Sequence, residues 1–275
     1  MTETTAAMAA DPGYALFTQK VKQLTGIDLS RYKSNQMERR LGTMMRRVGV
    51  DGYATYARLI ERDATALKEL KEFITINVSE FFRNPEKFDE LKGSILPQLL
   101  QQSPRLNIWS AGCSNGAEPY TVAMILDELT PGVQHRILAT DLDEEVLKAA
   151  RAGVYQERDL KSVSDGVRRR YFTLSGEAWQ VKPAILSRVE FRQHNLLRDP
   201  FESGFDLIIC RNVVIYFTEE TKDELYRRFH QSLRSGGLLF VGGTESILRA
   251  RDLGFTPVAP FFYQKSLGQG RGGVL

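Results

Sequence analysis

The residues best suited to chemistry lie in one short segment, residues 106–120. An apolar run ends there in a turn that contains Gly112 and Gly116, and a helix is predicted to begin at once with Glu118 and Pro119 in its first turn. Proline fits at that point because the first N–H groups of a helix have no partner within it. The spacing G-x-x-x-G-x-E lacks the G-x-G-x-x-G of dinucleotide-binding proteins and the lysine of a phosphate-binding loop. A carboxylate here suits a ligand that carries an ammonium group or hydroxyls.

The glycine loop is predicted to lie at the carboxyl end of a strand in a mostly parallel sheet. From about residue 104, short apolar runs alternate with helical patterns, and strands separated by helices need crossover connections. The predicted strands are Leu106–Ala111, Arg136–Thr140, Val189–Gln193, Phe205–Cys210 and Leu238–Gly242, followed by a closing hairpin of Phe255–Val258 and Phe261–Gln264. The predicted helices are Tyr120–Leu129, Glu144–Ala152 and Glu219–Leu233.

Polar residues follow these strands at the edge where cofactors bind in such folds. Asp141 ends the second strand, where its carboxylate is placed to accept hydrogen bonds from ribose hydroxyls. Later strands end in Asn195-Leu196 and Asn212-Val213. Each asparagine alone is also typical of an ordinary turn. Because neighbouring strands supply such groups in order, we expect one ligand-binding crevice.

Residues 14–76 carry no strand pattern and are predicted to form a helical domain. Within the segment 33–48, apolar residues recur at helical spacing, and at about 100° per residue the arginines fall on the other side. The apolar positions are Met37, Leu41, Met44 and Val48, and the arginines are Arg39, Arg40, Arg46 and Arg47. Residues 14–50 hold eight basic and two acidic side chains. The sequence therefore predicts a helix with one apolar and one basic stripe.

The chain has 275 residues and a formal net charge of +3, which suit one large domain or two modest ones. Its cysteines, Cys113 and Cys210, stand in no metal-binding spacing, so no metal is predicted, and reduced thiols indicate a cytoplasmic protein. No apolar run approaches the roughly 18 residues of a membrane span, and no secretion signal is recognised. Residues 1–13 and 266–275 are predicted to be flexible tails. A monomer is the default expectation.

Two segments depart from the alternating pattern. Residues 153–188 are too long for a bare loop in a compact domain, so they are predicted to form a small subdomain. Residues 77–103 are predicted to be a linker and cofactor lid, in which Phe81-Phe82 stand beside Arg83. The alternative is an aromatic pair in the core with an exposed arginine.

Five motifs together resemble those of the CheR family, the chemotaxis receptor methyltransferases. They are N-V-S-E-F-F-R, S-A-G-C-S-N-G-A-E-P-Y, A-T-D-L-D, N-L-L and C-R-N-V-V-I-Y-F. One motif would indicate only a class I methyltransferase, whereas the set is highly specific. The resemblance implies an α/β fold of the Rossmann-like, class I S-adenosylmethionine-dependent type over residues 104–265. It also implies an all-α N-terminal domain and a small inserted β-subdomain at 153–188.

The resemblance further implies the activity. Members of this family transfer a methyl group from S-adenosylmethionine to glutamate side chains on the cytoplasmic helices of chemoreceptors. The products are glutamate methyl esters, which serve chemotactic adaptation, and S-adenosylhomocysteine. Matched to the family motifs, the cofactor contacts fall on Asn77, Ser79, Arg83, Glu118, Asp141, Asn195, Leu196, Asn212 and Val213. Arg83 and Tyr216 match residues beside the transferred methyl group, so both are predicted to be catalytic.

Methyl transfer to a carboxylate needs positioning more than it needs a base, because the nucleophile is already ionised near pH 7. The three histidines, His135, His194 and His230, accordingly form no catalytic constellation. Arg83 is expected to orient the incoming carboxylate, and Tyr216 to frame the path of the methyl group. Exclusion of water favours the reaction because the two opposite charges neutralise each other.

The resemblance implies a function for the basic stripe of residues 33–48. Receptor methylation helices present acidic residues, so Arg39, Arg40, Arg46 and Arg47 are predicted to dock them. A solvated arginine face is the alternative. Nucleic acid is not expected as a partner, since no aromatic stacking platform accompanies these arginines.

Some members of the family bind a pentapeptide tether at the receptor C-terminus through the inserted subdomain. Those members carry a G-x-G loop that residues 171–186 lack, so a tether-independent enzyme is predicted. Two other functions stay open at this point. One is a class I methyltransferase acting on RNA or a small molecule, and the other is a catalytically silent cofactor-binding protein that signals by docking.

Overall fold

A computed structural model of the chain describes residues 12–75, 77 and 79–266. Most of the predicted tails, 1–13 and 266–275, lies outside these residues. A helix already begins at Pro12, so the helical domain starts slightly earlier than predicted.

The chain divides into two compact units. The smaller consists of Met1–Ile76 with Ile215–Glu224, and the larger of Asn77–Val214 with Leu225–Leu275. The division at residue 76 coincides with the end of the predicted helical domain. The assignment of residues 215–224 to the smaller unit was not predicted.

The smaller unit is made of helices joined by short turns. They are α1 (Pro12–Thr25), α2 (Ser34–Val48), α3 (Tyr53–Arg62) and α4 (Ala64–Thr75). Each helix contributes a fully buried side chain to the core, namely Phe17, Leu41, Tyr56 and Leu70. The apolar stripe of each helix therefore faces its neighbours, as amphipathic periodicity requires.

The returning segment is tied to the smaller unit through its backbone. Lys33 N donates a hydrogen bond to Tyr216 O at 2.9 Å. One residue away on each side, the rings of Tyr32 and Phe217 meet edge to face, with their centroids 5.1 Å apart. These contacts place Tyr216 with the helical domain, which its position a few residues after the strand that ends at Cys210 did not indicate.

The larger unit is built on a seven-stranded sheet. Strand bounds in this unit are β1 (Asn107–Ala111), β2 (Arg136–Asp141), β3 (Val154–Tyr155), β4 (Phe172–Ser175), β5 (Ala178–Val181), β6 (Val189–Gln193), β7 (Phe205–Cys210), β8 (Leu233–Val241), β9 (Phe255–Ala259) and β10 (Phe262–Lys265). The large sheet has the order β6-β2-β1-β7-β8-β10-β9. Its pairs are parallel except where β10 meets β8 and β9. The predicted mostly parallel sheet with a closing antiparallel hairpin is confirmed.

Of the strands, β8 departs most from its prediction. It was predicted over Leu238–Gly242 but begins at Leu233, directly after the helix that ends at Ser232, so no loop separates the two. The sequence Ser235-Gly236-Gly237 stood between the predicted helix and the predicted strand. It instead lies within β8, and the pairing of β7 with β8 shifts register there. Glycines inside a strand commonly mark such irregularities.

Helices cover the sheet and replace most of the predicted linker. They are α5 (Pro85–Glu90), α6 (Leu96–Gln102), α7 (Ala117–Leu129), α8 (Glu144–Ala152), α9 (Asp165–Tyr171), α10 (Pro183–Leu186) and α11 (Glu219–Ser232). A π-helical turn, Leu91–Ile95, joins α5 to α6. Phe88, Leu91 and Leu99 are buried in the core of the unit, so the linker prediction is wrong over 85–102. No helix in the described part of the chain combines the length and apolar character needed to cross a membrane.

The inserted segment forms a small antiparallel sheet in the order β3-β5-β4. Its edge strand β3 is tied to the glycine loop, since Tyr155 Oη donates to Asn115 O at 2.7 Å. Its other edge strand, β4, is exposed from Thr173 to Ser175. The small β-subdomain implied by the resemblance is therefore present.

Phe81 is a core residue rather than part of a lid. It is 0% exposed, and its ring meets Tyr155 and Phe172 edge to face at centroid distances of 4.7 and 5.0 Å. Phe81 N also donates to Asp159 O at 3.2 Å. The alternative interpretation of the aromatic pair is correct for Phe81, and the lid prediction is wrong for it.

We expect Phe81→Ala to lower the free energy of unfolding by roughly 3–5 kcal/mol, because it removes a fully buried ring and leaves a cavity. Urea denaturation followed by circular dichroism measures the loss. Leu174→Ala is the control, since Leu174 is 56% exposed and its truncation should change stability by no more than about 0.5 kcal/mol. Equal losses in the two variants would contradict the placement of Phe81.

Candidate functional site

The glycine loop after β1 sits at the centre of the predicted crevice. Gly112 N and Cys113 N donate to Thr140 O at 2.8 and 2.9 Å, which ties the loop to β2. Gly112 has φ +81°, and a Cβ built on it would lie 2.5 Å from Val213 Cγ2. Val213 follows β7, so the loops after β1 and β7 touch where only a glycine leaves room.

Asp141, at the end of β2, is bound to the same loop. Its Oδ2 accepts a hydrogen bond from Ser114 N at 2.8 Å, and its Oδ1 accepts one from Asp143 N at 3.1 Å. Burial raises the pKa of the Asp141 carboxyl in spite of these bonds. Ser114 Oγ is buried without a hydrogen-bond partner among the described residues. The loop therefore presents one unsatisfied hydroxyl beside a desolvated carboxylate, which suits a polar ligand.

Glu118 lies in the first turn of α7, as predicted. Its Oε1 accepts from Ser110 Oγ at 2.8 Å, and its Oε2 from Arg211 Nη1 at 3.4 Å. Burial raises the pKa of the Glu118 carboxyl, while Arg211 and Ser110 oppose that rise. The net rise means that ionised Glu118 is incompletely stabilised, so a ligand cation beside it would be favoured.

Arg211 is a site residue that was not predicted from the sequence. Its side chain is 2% exposed. Besides Glu118, its Nη2 donates to Arg83 O at 2.9 Å and to Asn84 Oδ1 at 3.0 Å. The signal available was an arginine directly after a buried strand, since a buried guanidinium needs a carboxylate partner nearby.

The other predicted cofactor residues lie around this centre. Asn77 Nδ2 donates to Asp143 Oδ2 at 2.8 Å, and Ser79 O lies 3.5 Å from Asn115 Nδ2. The segment that contains both residues thus runs beside the ends of β1 and β2.

Asn195 and Leu196 form a tight turn after β6. Asn195 Oδ1 accepts from Leu197 N at 2.9 Å, and Arg228 Nη1 donates to Leu196 O. This is the ordinary asparagine turn that was the alternative for Asn195. Their contact with a cofactor stays a prediction.

The crevice residues fit S-adenosylmethionine. Asp141 offers acceptors for ribose hydroxyls, and Glu118 offers a carboxylate for an ammonium group. Gly112 leaves room for Val213 against the loop, and Ser114 Oγ is a polar atom with no hydrogen-bond partner among the described residues. None of these interactions requires a metal ion or a phosphate-binding group.

Comparison with known proteins agrees with this fit. Residues 77–258 match the family model of the CheR methyltransferase, SAM binding domain, and residues 12–75 match that of the CheR methyltransferase, all-alpha domain. The chain belongs to the CheR methyltransferase family. The predicted family, fold class, methyltransferase activity and cofactor, S-adenosylmethionine, are confirmed.

Relatives cover nearly all of this CheR-family chain. It is 42% identical over 254 residues to a chemotaxis protein methyltransferase of Listeria monocytogenes, covering 92% of this chain and 97% of that protein. It is 38% identical over 253 residues to chemotaxis protein methyltransferase 1 of Pseudomonas aeruginosa, covering 87% and 92%. The corresponding protein of Salmonella typhimurium is 32% identical over 253 residues, covering 86% and 84%.

The predicted arginine stripe is exposed at three of its four positions. Arg39, Arg46 and Arg47 are exposed, and Arg47 pairs with Glu69 at 3.5 Å while its side chain stays 65% exposed. Arg40 is half-buried and packs over the Phe73 ring at 4.7 Å. At about 100° per residue, Arg40 lies on the flank of the apolar stripe rather than opposite it. It therefore turns towards α4, and the prediction of an exposed face is wrong for Arg40.

Tyr216 and Arg40 line one shallow groove of the smaller unit. The groove is lined by Tyr32, Lys33, Gln36, Met37, Arg40, Ile74 and Tyr216. Arg40 Nε is buried without a hydrogen-bond partner among the described residues. Burial lowers the pKa of this guanidinium, and the neighbouring Tyr216 opposes the shift. The structure thus groups the predicted catalytic tyrosine with one of the four predicted docking arginines.

We expect Gly112→Ala to weaken binding of S-adenosylhomocysteine by about tenfold or more, since the new Cβ displaces Val213 and the loop. Isothermal titration calorimetry measures the dissociation constant. Gly132→Ala is the matched control, because Gly132 has φ +82° but no heavy atom within 4 Å of its added Cβ. It bears the same backbone strain without the collision, so its affinity should stay within about twofold of wild type. Parallel losses would show that strain alone is responsible.

Proposed function

We propose that this chain transfers a methyl group from S-adenosylmethionine to glutamate side chains on the cytoplasmic helices of methyl-accepting chemoreceptors. The products are glutamate γ-methyl esters, used in chemotactic adaptation, and S-adenosylhomocysteine. The observation that carries the proposal is that the chain matches both CheR methyltransferase domains, over residues 12–75 and 77–258.

All three histidines are structural. His135 Nδ1 accepts from Leu106 N at 3.0 Å, and its other nitrogen lies 2.8 Å from Thr130 Oγ1. His194 packs edge to face on Trp109 at 5.7 Å, and His230 packs on a phenylalanine ring at 5.3 Å. Burial lowers the pKa of each imidazole. A hydroxyl acceptor such as a ribose would need a base to remove its proton, whereas a carboxylate near pH 7 does not.

When bound, S-adenosylmethionine supplies an electrophilic methyl group, so that a glutamate oxygen gains the methyl as the carbon–sulfur bond breaks. Arg83 is proposed to orient the incoming carboxylate. Its backbone is held by Arg211, which fixes the point from which its guanidinium reaches out. Tyr216 is proposed to frame the methyl path by shape and hydrogen bonding. These groups act by positioning, which is the contribution that an in-line displacement needs.

Arg39 and Arg46, two exposed arginines of α2, are proposed to dock the acidic receptor helix. Arg39 and Arg46 are exposed on the side of α2 away from its buried apolar residues. Their charge would act mainly on the association rate and would be screened by salt. Arg40 contributes less to such steering because it is half-buried against Phe73, and Glu69 offsets part of the charge of the exposed Arg47.

The match to the all-alpha domain supports a receptor substrate over RNA or a small molecule, because that domain belongs to the same methyltransferase family. The names of the relatives, chemotaxis protein methyltransferases, support it as well. We further propose a cytoplasmic monomer that needs no pentapeptide tether. In the inserted sheet, β4 and β5 are joined by a tight turn at Gly176-Glu177, which leaves no second glycine for a G-x-G loop.

Incubation with labelled S-adenosylmethionine and receptor-containing membranes should place base-labile label on the receptor, because esters hydrolyse in alkali. Arg83→Ala should reduce that labelling by about a hundredfold or more, since the acceptor carboxylate loses its orienting partner. Arg105→Ala, an exposed arginine in the same unit, is the control and should label like wild type. Alkali-stable label, or label on RNA, would overturn the proposed substrate. Near-normal labelling by Arg83→Ala would remove only the role given to Arg83.

The double variant Arg39→Glu/Arg46→Glu should slow receptor labelling by about tenfold at low salt, with a smaller defect at high salt. Its affinity for S-adenosylhomocysteine should not change. Arg58→Glu/Arg62→Glu is the matched control, because it reverses the same amount of charge at exposed positions of α3. If both double variants are equally slow, net charge rather than the α2 face is responsible.

A further inference from the structure

Glu245 is a buried carboxylate at the edge of the crevice that no predicted role includes. It is 4% exposed. Its Oε2 accepts hydrogen bonds from Asn212 N at 2.6 Å and from Gly242 N at 2.7 Å. Asn212 lies just beyond β7 and Gly242 just beyond β8, and these strands are neighbours in the sheet. One oxygen therefore joins the carboxyl ends of two adjacent strands.

The bond to Asn212 holds an unusual backbone conformation. Asn212 has φ +60°, in the left-handed region that non-glycine residues seldom occupy. Such a conformation persists where the surroundings fix it. The next residue, Val213, fills the space over Gly112 that a Cβ would otherwise claim. The path from Glu245 to the cofactor loop thus runs through Asn212 and Val213.

Gly242 leaves the space that the Glu245 carboxylate occupies. A Cβ built on Gly242 would collide with Glu245 Oε2 and would lie 2.9 Å from Asn212 N. The two N–H groups therefore converge on Glu245 Oε2 where residue 242 has no room for a side chain of its own. Glu245 also lies close enough to Glu118 to oppose its ionisation, which is an electrostatic cost. A buried charge kept at such a cost beside a binding crevice calls for a specific role.

We propose that Glu245 is a positioning residue for the cofactor. It accepts the N–H groups of Asn212 and Gly242, fixes the turn after β7, and so keeps Val213 seated over the glycine loop. Its action on the cofactor is indirect and passes through the backbone. This inference rests on the cofactor crevice of the proposed function and adds one residue to its supporting structure.

Glu245→Ala compared with Asp206→Ala tests the proposal. Asp206 is also 4% exposed, and it also accepts from two donors, Asn107 N at 2.7 Å and Arg234 Nε. Asp206 stands near the start of β7, at the opposite end of the strand from Asn212. Each truncation thus leaves two donors without their carboxylate. Of the two truncated sites, only that of Glu245 lies beside the crevice.

Urea denaturation and titration with S-adenosylhomocysteine are measured for both variants. Both should unfold at lower urea than wild type. Only Glu245→Ala should raise the dissociation constant, by about tenfold or more, while Asp206→Ala should stay within about twofold of wild type. A purely structural role for Glu245 predicts the same effect on affinity in both variants, and that result would overturn the proposal.

Two milder variants decide the matter if Glu245→Ala does not fold. Glu245→Gln can place its amide oxygen where Oε2 lies, so it should keep affinity within about threefold. Glu245→Asp keeps the charge but is one methylene too short to reach both N–H groups, so it should lose about tenfold. The opposite order, with aspartate tight and glutamine weak, would show that charge rather than the placed acceptor matters, and would overturn the proposal.

These titrations use no receptor, so they separate this inference from the proposed function. A wild-type protein that binds S-adenosylhomocysteine but labels no receptor would overturn the proposed substrate. The ranking of the Glu245 variants would still test the positioning role.

Discussion

Arg211 and Glu118 form a buried ion pair. The need to stabilise these two buried charges determines much of the arrangement of the site. A buried guanidinium is tolerated only when carboxylates and carbonyls surround it. Arg211 meets this requirement with Glu118 on α7 and with Arg83 and Asn84 on the segment before α5. Phe88 and Phe240 lie under its charge, 5.1 and 4.8 Å from the guanidinium carbon. The pair therefore connects the end of β7 to two other parts of the chain that the crevice requires.

Carboxylates recur at this edge of the sheet for a related reason. Parallel strands end with N–H groups that find no partner in the next strand, and a carboxylate can accept two of them at once. Asp141 does this for Ser114 and Asp143, and Glu245 does it for Asn212 and Gly242. Burial of these carboxylates is costly in the free protein: it raises the pKa of Asp141 and of Glu118, and the neighbouring carboxylates Asp143 and Glu245 add to the rise. A ligand that brings a cation and hydroxyl groups relieves part of that cost.

Local sequence signals predicted the sheet well because its strands are short apolar runs separated by helices with clear starts. Strand β7 (Phe205–Cys210) and helix α8 (Glu144–Ala152) have the predicted bounds. Long-range packing could not be predicted in the same way. The sequence around Phe81 does not indicate that its ring packs against Tyr155 and Phe172, which lie far along the chain.

Prediction of the site residues was limited in the same way, because local sequence does not reveal long-range contacts. Residues at strand ends were predicted because their position follows from topology, whereas Arg211 and Glu245 act through partners distant in sequence. Arg40 departs from the predicted arginine stripe for a different reason. Helical angles alone cannot tell an exposed flank from one that a neighbouring helix covers, and α4 supplies Phe73 there.

Because Tyr155 contacts the glycine loop, the two edges of the inserted sheet should tolerate changes of sequence to different degrees. One edge strand, β3, carries a residue bonded to Asn115, so mutations there would be selected together with those in the catalytic domain. The other edge strand, β4, ends in the exposed residues Thr173, Leu174 and Ser175, where a lineage can lengthen the hairpin or recruit a new accessory ligand without disturbing the chemistry. Diversification of the insertion should therefore proceed from its β4 edge inward.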